Sequence, residues 1–263
     1  MNKLSILEYN IWFDRFEQEK RLISLLETID HYSPDVICLQ EVIPEISNLL
    51  IANLKKYKYV FPDKIDLAYG CQIFSVRPFI HCKEYEYEKT FMGRKLYCVV
   101  IECNSQEYSS NLQNIVIATS HFESEFKKSN PIKTSQYDQA HTILNKYFSS
   151  YGPVIMCADT NILPNEEKYF LTEGDESWLD AWSENGADHD KMYTYDTKLN
   201  VNLQNRNFHK EIRSRIDRVI YRGRSVLRPL DFKLIKRFED KIEPSDHFGI
   251  LADFEVRNDK VEI

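Results

Sequence analysis

The sequence predicts an α/β fold built on mixed β-sheets. Three observations carry that prediction. Short apolar runs recur along the chain, with stretches of helical periodicity between them. Several of those runs follow one another with no helix in between, which a purely parallel, doubly wound sheet does not allow. No Pro/Gly/Ser-rich linker, internal repeat or low-complexity segment divides the chain, so one domain is expected over residues 1–263.

The elements follow in order. Leu4 to Tyr9 reads as a strand. Lys20 to Asp30 reads as a helix, with Leu22, Ile23, Leu25, Leu26 and Ile29 on one side. Val36 to Leu39 is a buried strand, and Pro44 to Lys56 is a helix with Ile46, Leu49, Leu50 and Leu54 at helical spacing. Gln72 to Val76, Leu96 to Glu102 and Ile115 to Ser120 are rich in β-formers. Thr134 to Phe148 is helical and Val154 to Ala158 is a buried strand. Ser183 to Phe208 is polar and Asn-rich and reads as long loops, which in compact enzymes often carry function. Arg215 to Tyr221 and Gly249 to Val256 are the last strands.

Composition narrows the class. With 43% hydrophobic and 29% charged residues, the chain has enough apolar material for a sizeable core. No apolar run approaches the roughly 18 residues of a membrane span. The first ten residues lack the apolar content of a secretory signal. Six cysteines form no close C-x-x-C pair, so neither a zinc cage nor a disulfide framework is expected. These features suggest a reducing, intracellular setting, nuclear or cytoplasmic. The net charge of −7 argues against a general nucleic-acid coat. It leaves room for a local basic patch, and Lys210, Arg213, Arg215, Arg218, Arg222 and Arg224 supply one candidate, the alternative being a solvated face. Coiled-coil heptads are absent, which makes a monomer the default.

The polar residues of interest sit at strand ends, where α/β folds bind ligands. Asn10 ends the first strand and Glu41 follows Val36 to Gln40. His121 ends Ile115 to Ser120, Asp159 and Asn161 follow Val154 to Ala158, and Asp246 and His247 precede the last strand. A lone carboxylate at a strand end is usually a cap or turn residue; five such ends together point to chemistry. Glu and Asp offer hard oxygens for Mg²⁺ or Mn²⁺. The histidines can donate hydrogen bonds to a transition state gaining negative charge, and a further Asp can activate water. Metal-assisted hydrolysis of a phosphate ester fits this set. There is no G-x-S-x-G elbow, Walker loop or G-x-G-x-x-G. His31, His81, His141, His189 and His209 stand in no motif and read as surface or core residues.

The ordered set Asn10, Leu39-Gln40-Glu41, Ser120-His121, Asp159-Thr160-Asn161, Arg215-Ile216-Asp217-Arg218 and Ser245-Asp246-His247 resembles the endonuclease/exonuclease/phosphatase superfamily. Tyr32 to Pro44 (YSPDVICLQEVIP), Ser120 to Ser124 (SHFES) and Tyr193 to Leu203 (YTYDTKLNVNL) resemble its 5′-tyrosyl-DNA phosphodiesterases of type 2. The resemblance implies a four-layered α/β sandwich, two packed sheets with helices outside. It also implies Mg²⁺-dependent cleavage of the bond between a DNA 5′ end and the tyrosine of a trapped topoisomerase, with RNA-linked peptides as further substrates. By the same resemblance Glu41 is the metal ligand, with Asp246 supporting the metal or polarising His247. Asp159 activates the water, and Asn10, His121, Asn161 and His247 hold the phosphate. Tyr69, Ser120, Tyr195, Arg215 and Ile216 are the expected substrate contacts, and Asp217 orients its neighbours. Two positions depart from the pattern. Trp12 stands where relatives place an acidic residue, with Asp14 as its candidate substitute, and Leu163 stands where they place an arginine. The alternatives are another activity of the superfamily (abasic-site endonuclease, deadenylase or inositol-phosphate phosphatase) or an inactive DNA-end-binding protein.

Overall fold

A computed structural model describes residues 2–103, 113–124, 131–171, 178–204, 206, 210–238 and 241–257. Two six-stranded sheets face each other. The first runs in the order β13 (Leu227–Ile235), β14 (Gly249–Val256), β1 (Asn2–Asn10), β2 (Val36–Val42), β4 (Gly70–Ser75), β3 (Tyr59–Phe61). The second runs β5 (Phe79–Glu86), β6 (Lys95–Cys103), β7 (Gln113–His121), β8 (Val154–Asp159), β12 (Asp217–Arg222), β9 (Leu179–Asp180). β10 (Tyr195–Asp196) and β11 (Arg213–Ser214) form a separate ribbon. Each large sheet holds one parallel pair, β1 with β2 and β7 with β8, and the remaining pairs are antiparallel. The sheets are mixed, as the sequence suggests.

Helices cover the outer faces. α1 (Gln18–Tyr32) and α2 (Pro44–Asn53) pack on the first sheet through Leu25, Ile29, Ile46 and Leu50. α3 (Pro131–Tyr151) packs on the second through Tyr137, Ala140 and Leu144. Between the sheets lies a third apolar layer that includes Ile6, Val36, Cys38, Val99, Ile117, Cys157 and Ile250. The order helix, sheet, sheet, helix is the four-layered sandwich. β14 can lie close against β1 because position 249 is glycine: a Cβ there would stand 2.6 Å from the Tyr9 ring.

Several expectations need correction. Ile23 and Leu49 are exposed, because the buried stripes of α1 and α2 are narrower than the apolar periodicity implies. α2 stops at Asn53 rather than Lys56. The last-but-one predicted strand begins at Asp217, not Arg215, because the Ile216 carbonyl is taken by the Thr160 amide at 2.7 Å. β5 and β13 have no counterpart in the sequence reading. Both are sheet edges, and β13 carries Pro229 with a bulge beside it, which breaks simple alternation. Within Ser183 to Phe208 the described residues include β10 and a helical turn, Val201–Gln204; residues 205, 207 and 208 lie outside the described set. Cys38, Cys71, Cys98 and Cys157 are buried free thiols and Cys82 is an exposed one. Among the described residues no helix is long and apolar enough to cross a membrane.

Candidate active site

The two parallel pairs end at the same place. Asn10 closes β1 and spans two carboxylates: its amide donates to Glu41 Oε1 at 3.1 Å and to Asp159 Oδ2 at 2.8 Å. Its own Oδ1 accepts the Trp12 amide at 3.0 Å. Glu41 falls where the β2–β4 register shifts, and that irregularity turns its side chain into the site. Its Oε2 accepts the Phe13 amide at 3.0 Å. His121 closes β7 with Nε2 at 3.3 Å from Asp159 Oδ2. Trp12, Glu41 and Asn161 have φ of 57°, 58° and 49°, a left-handed conformation costing a non-glycine residue about 1–3 kcal/mol. Three such residues around one cluster mark a constrained site.

The two histidines are held in different protonation states. Burial, then Arg94 and His247, push His121 well below the ordinary histidine range. An Arg94 Nη1 at 2.8 Å donates to His121 Nδ1, which fixes the neutral tautomer with its proton on Nε2, toward Asp159. Burial also opposes charge on His247. Asp217, Asp246 and Asp159 outweigh it and hold His247 as an imidazolium, well above the usual range. Its Nδ1 donates to Asp217 Oδ2 at 2.8 Å. Asp217, not Asp246, is therefore the partner that orients His247. Burial, then Asp217, with a smaller push from Glu41, raises the Asp159 carboxyl to about 7, against the pull of His247 and Asn10. Burial likewise raises Asp246 to about 6.

Among the described residues, two groups of potential metal donors each bring their ligand atoms within 4.8 Å of one another: Glu41, His121 and Asp159, and then Asp159, Asp217 and His247. Both ring nitrogens of His121 are already engaged, and His247 carries a proton on Nδ1. The donors that keep lone pairs for an ion are carboxylate oxygens, which suit a hard divalent cation. Asp246 belongs to neither group, and its Oδ1 accepts the Ser245 hydroxyl at 3.1 Å. Asp14 does not stand in for an acid at position 12. It pairs with Arg206 at 2.9 Å, and Trp12 itself is wedged between the guanidiniums of Arg21 and Arg206, at 4.4 and 4.6 Å.

Above this floor opens a cavity of about 680 Å³. Its walls are apolar: Phe13, Tyr69 and Met92 on the side of His121, with Leu163, Tyr195 and Ile216 also lining it. Tyr69 lies 6.4 Å from His121, and Tyr195 meets His247 edge-on at 5.2 Å. Arg94 and Lys210 are its basic lining residues. Ser120 and Arg215 are not among the lining residues, which corrects their expected substrate contact. Ser120 is buried on the opposite face of β7 from His121, bonded to the Lys95 carbonyl and the Tyr87 hydroxyl at 3.0 Å. Arg215 and Arg218 both bind Asp180 and Glu167, which fastens the start of β12 instead. Arg213 is paired with Asp196 and Arg224 with Glu184, so of the basic stretch Lys210 alone lines the cavity. His31 and His81 pack against tyrosines and His141 stacks on Trp178, away from the floor; His209 lies outside the described residues.

Arg94 and Phe13 are absent from the sequence reading, as are two supports on α3. Buried Lys133 holds the Asn161 carbonyl and Glu166 Oε2, each at 2.7 Å, and the Tyr137 hydroxyl donates to the Thr160 carbonyl at 2.7 Å. Glu123 accepts the Phe91 and Met92 amides at 2.9 and 3.0 Å and so pins the turn that carries Arg94. Only tertiary contact reveals these roles.

The geometry has close counterparts. Tyrosyl-DNA phosphodiesterase 2 of Rattus norvegicus is 28% identical over 262 residues, covering 96% of this chain and 67% of its own length. That of Xenopus laevis is 28% identical over 262 residues, covering 96% and 66%. The chain thus spans about two thirds of the length of these relatives. The crystal structure of D. rerio TDP2 complexed with single strand DNA product superposes with a TM-score of 0.80 at 25% identity, covering 97% of this chain and 100% of that one. Residues 7–247 match the endonuclease/exonuclease/phosphatase family, and the chain belongs to that family.

Proposed function

We propose that this chain is a Mg²⁺-dependent phosphodiesterase, with Mn²⁺ as a substitute, that releases tyrosine or a topoisomerase peptide from a DNA 5′ end. The carrying observation is geometric: Asn10 bridges Glu41 and Asp159 at 3.1 and 2.8 Å, His121 Nε2 stands 3.3 Å from Asp159, and Asp217 holds His247 at 2.8 Å; burial raising Asp159 to about 7 and acidic neighbours keeping His247 charged accord with it. A base near neutrality and a fixed cation are what in-line displacement at a phosphodiester needs. The relatives' name supports the tyrosyl-DNA substrate, and the apolar walls fit an aromatic leaving group and unstacked bases.

In this reading Asp159 takes the proton of the attacking water. Asn10 and Asn161 orient the phosphate, and the His247 imidazolium and the His121 Nε2–H donate to its non-bridging oxygens. Glu41 would hold the divalent ion, with Asp246 in support; when bound, that ion would offset charge on the phosphate and the leaving oxygen. Tyr69, Tyr195 and Ile216 contact the nucleic acid or its adduct. Residues 1–263 act as one catalytic domain, a monomer working in the nucleus or cytoplasm, with RNA-linked peptides as possible further substrates.

The test is Mg²⁺-dependent release of tyrosine from a 5′-phosphotyrosyl oligonucleotide, run beside an abasic duplex. Preferential cleavage of the tyrosyl substrate supports the reading. Cleavage of the abasic duplex alone assigns a different activity within the family, and no turnover of either rejects it.

A further inference from the structure

Phe13 has no part in the chemistry above, yet it is held firmly at the cavity wall. Its ring is 46% exposed. Its amide is bonded to Glu41 Oε2, and its ring stacks on Tyr69 with centroids 4.8 Å apart and planes 9° from parallel. The preceding residue, Trp12, is locked between two guanidiniums, and Arg21 Nη2 ties the loop down through the Trp12 and Asp14 carbonyls, both at 2.8 Å. The Arg94 guanidinium lies 5.2 Å from the Tyr69 ring centroid. Phe13 and Tyr69 therefore form a stacked pair, with Arg94 against Tyr69, and Phe13 offers its ring to the cavity. A single exposed phenylalanine is ordinary. One preorganised on a stack beside a reacting centre is a recognition surface, because the ordering cost of binding has already been met.

We propose that Phe13 is a specificity-determining residue whose ring packs on the aromatic ring of the leaving group. The inference rests on the phosphotyrosyl reading of the site and deepens it. The side of the site decides which ring is bound. Asp159 and Glu41 accept from the two N–H groups of one Asn10 Nδ2 and so lie on either side of it. Water deprotonated by Asp159 attacks from the Asp159 side, and in-line displacement expels the leaving oxygen from the other. The far side is that of Glu41, to which Phe13 is bonded. The second aromatic wall, Tyr195 against His247, remains for the nucleotide.

The test compares two oligonucleotides. One carries a 5′-phosphotyrosine. The other carries a 5′-hexafluoroisopropyl phosphodiester, an alkyl leaving group about as acidic as phenol, so ring contact is separated from leaving-group acidity. Aromatic pairing predicts that Phe13→Ala lowers the ratio of kcat/KM for the tyrosyl over the alkyl substrate by about three- to tenfold. Phe13→Leu should lower it similarly, whereas Phe13→Tyr should restore it. An unchanged ratio in Phe13→Ala, or full retention in Phe13→Leu, overturns the proposal while leaving the phosphotyrosyl reading standing. So does a loss that disappears when the first nucleotide is abasic, since the ring would then serve a base. If the wild-type protein releases no tyrosine at all, the parent reading fails and this inference fails with it.

Discussion

Replacing Asp217 with Asn separates the charge of the His247 partner from its shape. Both residues are buried, and the Asp217 Oδ2 accepts from His247 Nδ1 at 2.8 Å. An asparagine carbonyl can still accept that proton, so ring orientation survives. What is lost is the largest of the charges that sustain the imidazolium against burial. A hydrogen bond to a charged group contributes about 1.5–3 kcal/mol against about 0.5–1.5 for a neutral one. The difference, about 1–1.5 kcal/mol, corresponds to roughly one pKa unit. The sign follows from the raised value: the His247 cation is present below its folded pKa and is lost as pH rises through it. In the wild type that loss lies well above neutrality. In Asp217→Asn it moves down by about one unit, so the alkaline limb of kcat/KM on a phosphotyrosyl oligonucleotide should shift about one pH unit toward neutrality, leaving the variant up to about tenfold below wild type on the alkaline side of that limb and recovering toward wild type as pH falls. A pH series of kcat/KM, paired with an NMR titration of His247, measures both. An alkaline limb identical in variant and wild type would falsify the assignment of Asp217 as the residue that keeps His247 charged.

Glu41→Gln should fold normally by circular dichroism yet lose turnover and weaken Mn²⁺ binding measured by calorimetry; near-wild-type rates would remove Glu41 from the metal site. Asp159→Asn should lose about 10²–10⁴ in rate, the usual worth of general-base help, while still binding a tyrosylated DNA end. Because Arg215 is committed to Asp180 and Glu167, Leu163→Arg should find its space unclaimed by that guanidinium and raise kcat/KM by up to about tenfold, the scale of one well-placed charged hydrogen bond; no gain would mean that no phosphate passes there. Lys133→Met should cost about 3–5 kcal/mol of stability by stranding the buried Glu166 carboxylate and the Asn161 carbonyl, read as a lowered urea midpoint; a midpoint within error of wild type would show that the pair is dispensable.

The central strands were legible because their sequences are continuous apolar runs. Val154 to Ala158 is buried at every position, and such a run flanked by polar residues has few other readings. Their ends were legible for the same reason, since Asn10, Glu41, His121 and Asp159 interrupt apolar runs where the chain leaves the sheet. Edge strands were not, because β5 mixes Lys83, Glu84 and Glu86 into its pattern and faces solvent. Ser120 was misread against a signal that was present: adjacent strand residues face opposite ways, so a site-facing His121 turns Ser120 outward. The Arg94–His121 and Asp217–His247 pairs carry no local signal. Each joins residues 27 or more apart in sequence; the pairing of β6 with β7 brings the first pair to 2.8 Å, and the packing of the two sheets brings the second.

The convergence of two parallel strand pairs has a consequence for how the molecule opens. Amides of β1, β2, β7 and β8 lie in the middle of both sheets, bonded on each side, and exchange with solvent there requires global unfolding. The turns bearing Phe13, Met92 and Leu163 lie outside these ladders, and carboxylates hold them instead: Glu41, Glu123 and Glu166 accept their amides at 3.0, 3.0 and 2.9 Å. Chemistry is thus vested in the sheet backbone and selectivity in turns fastened outside it, so new leaving groups or nucleotides can be accommodated by changing the rim without placing the protonation machinery at risk.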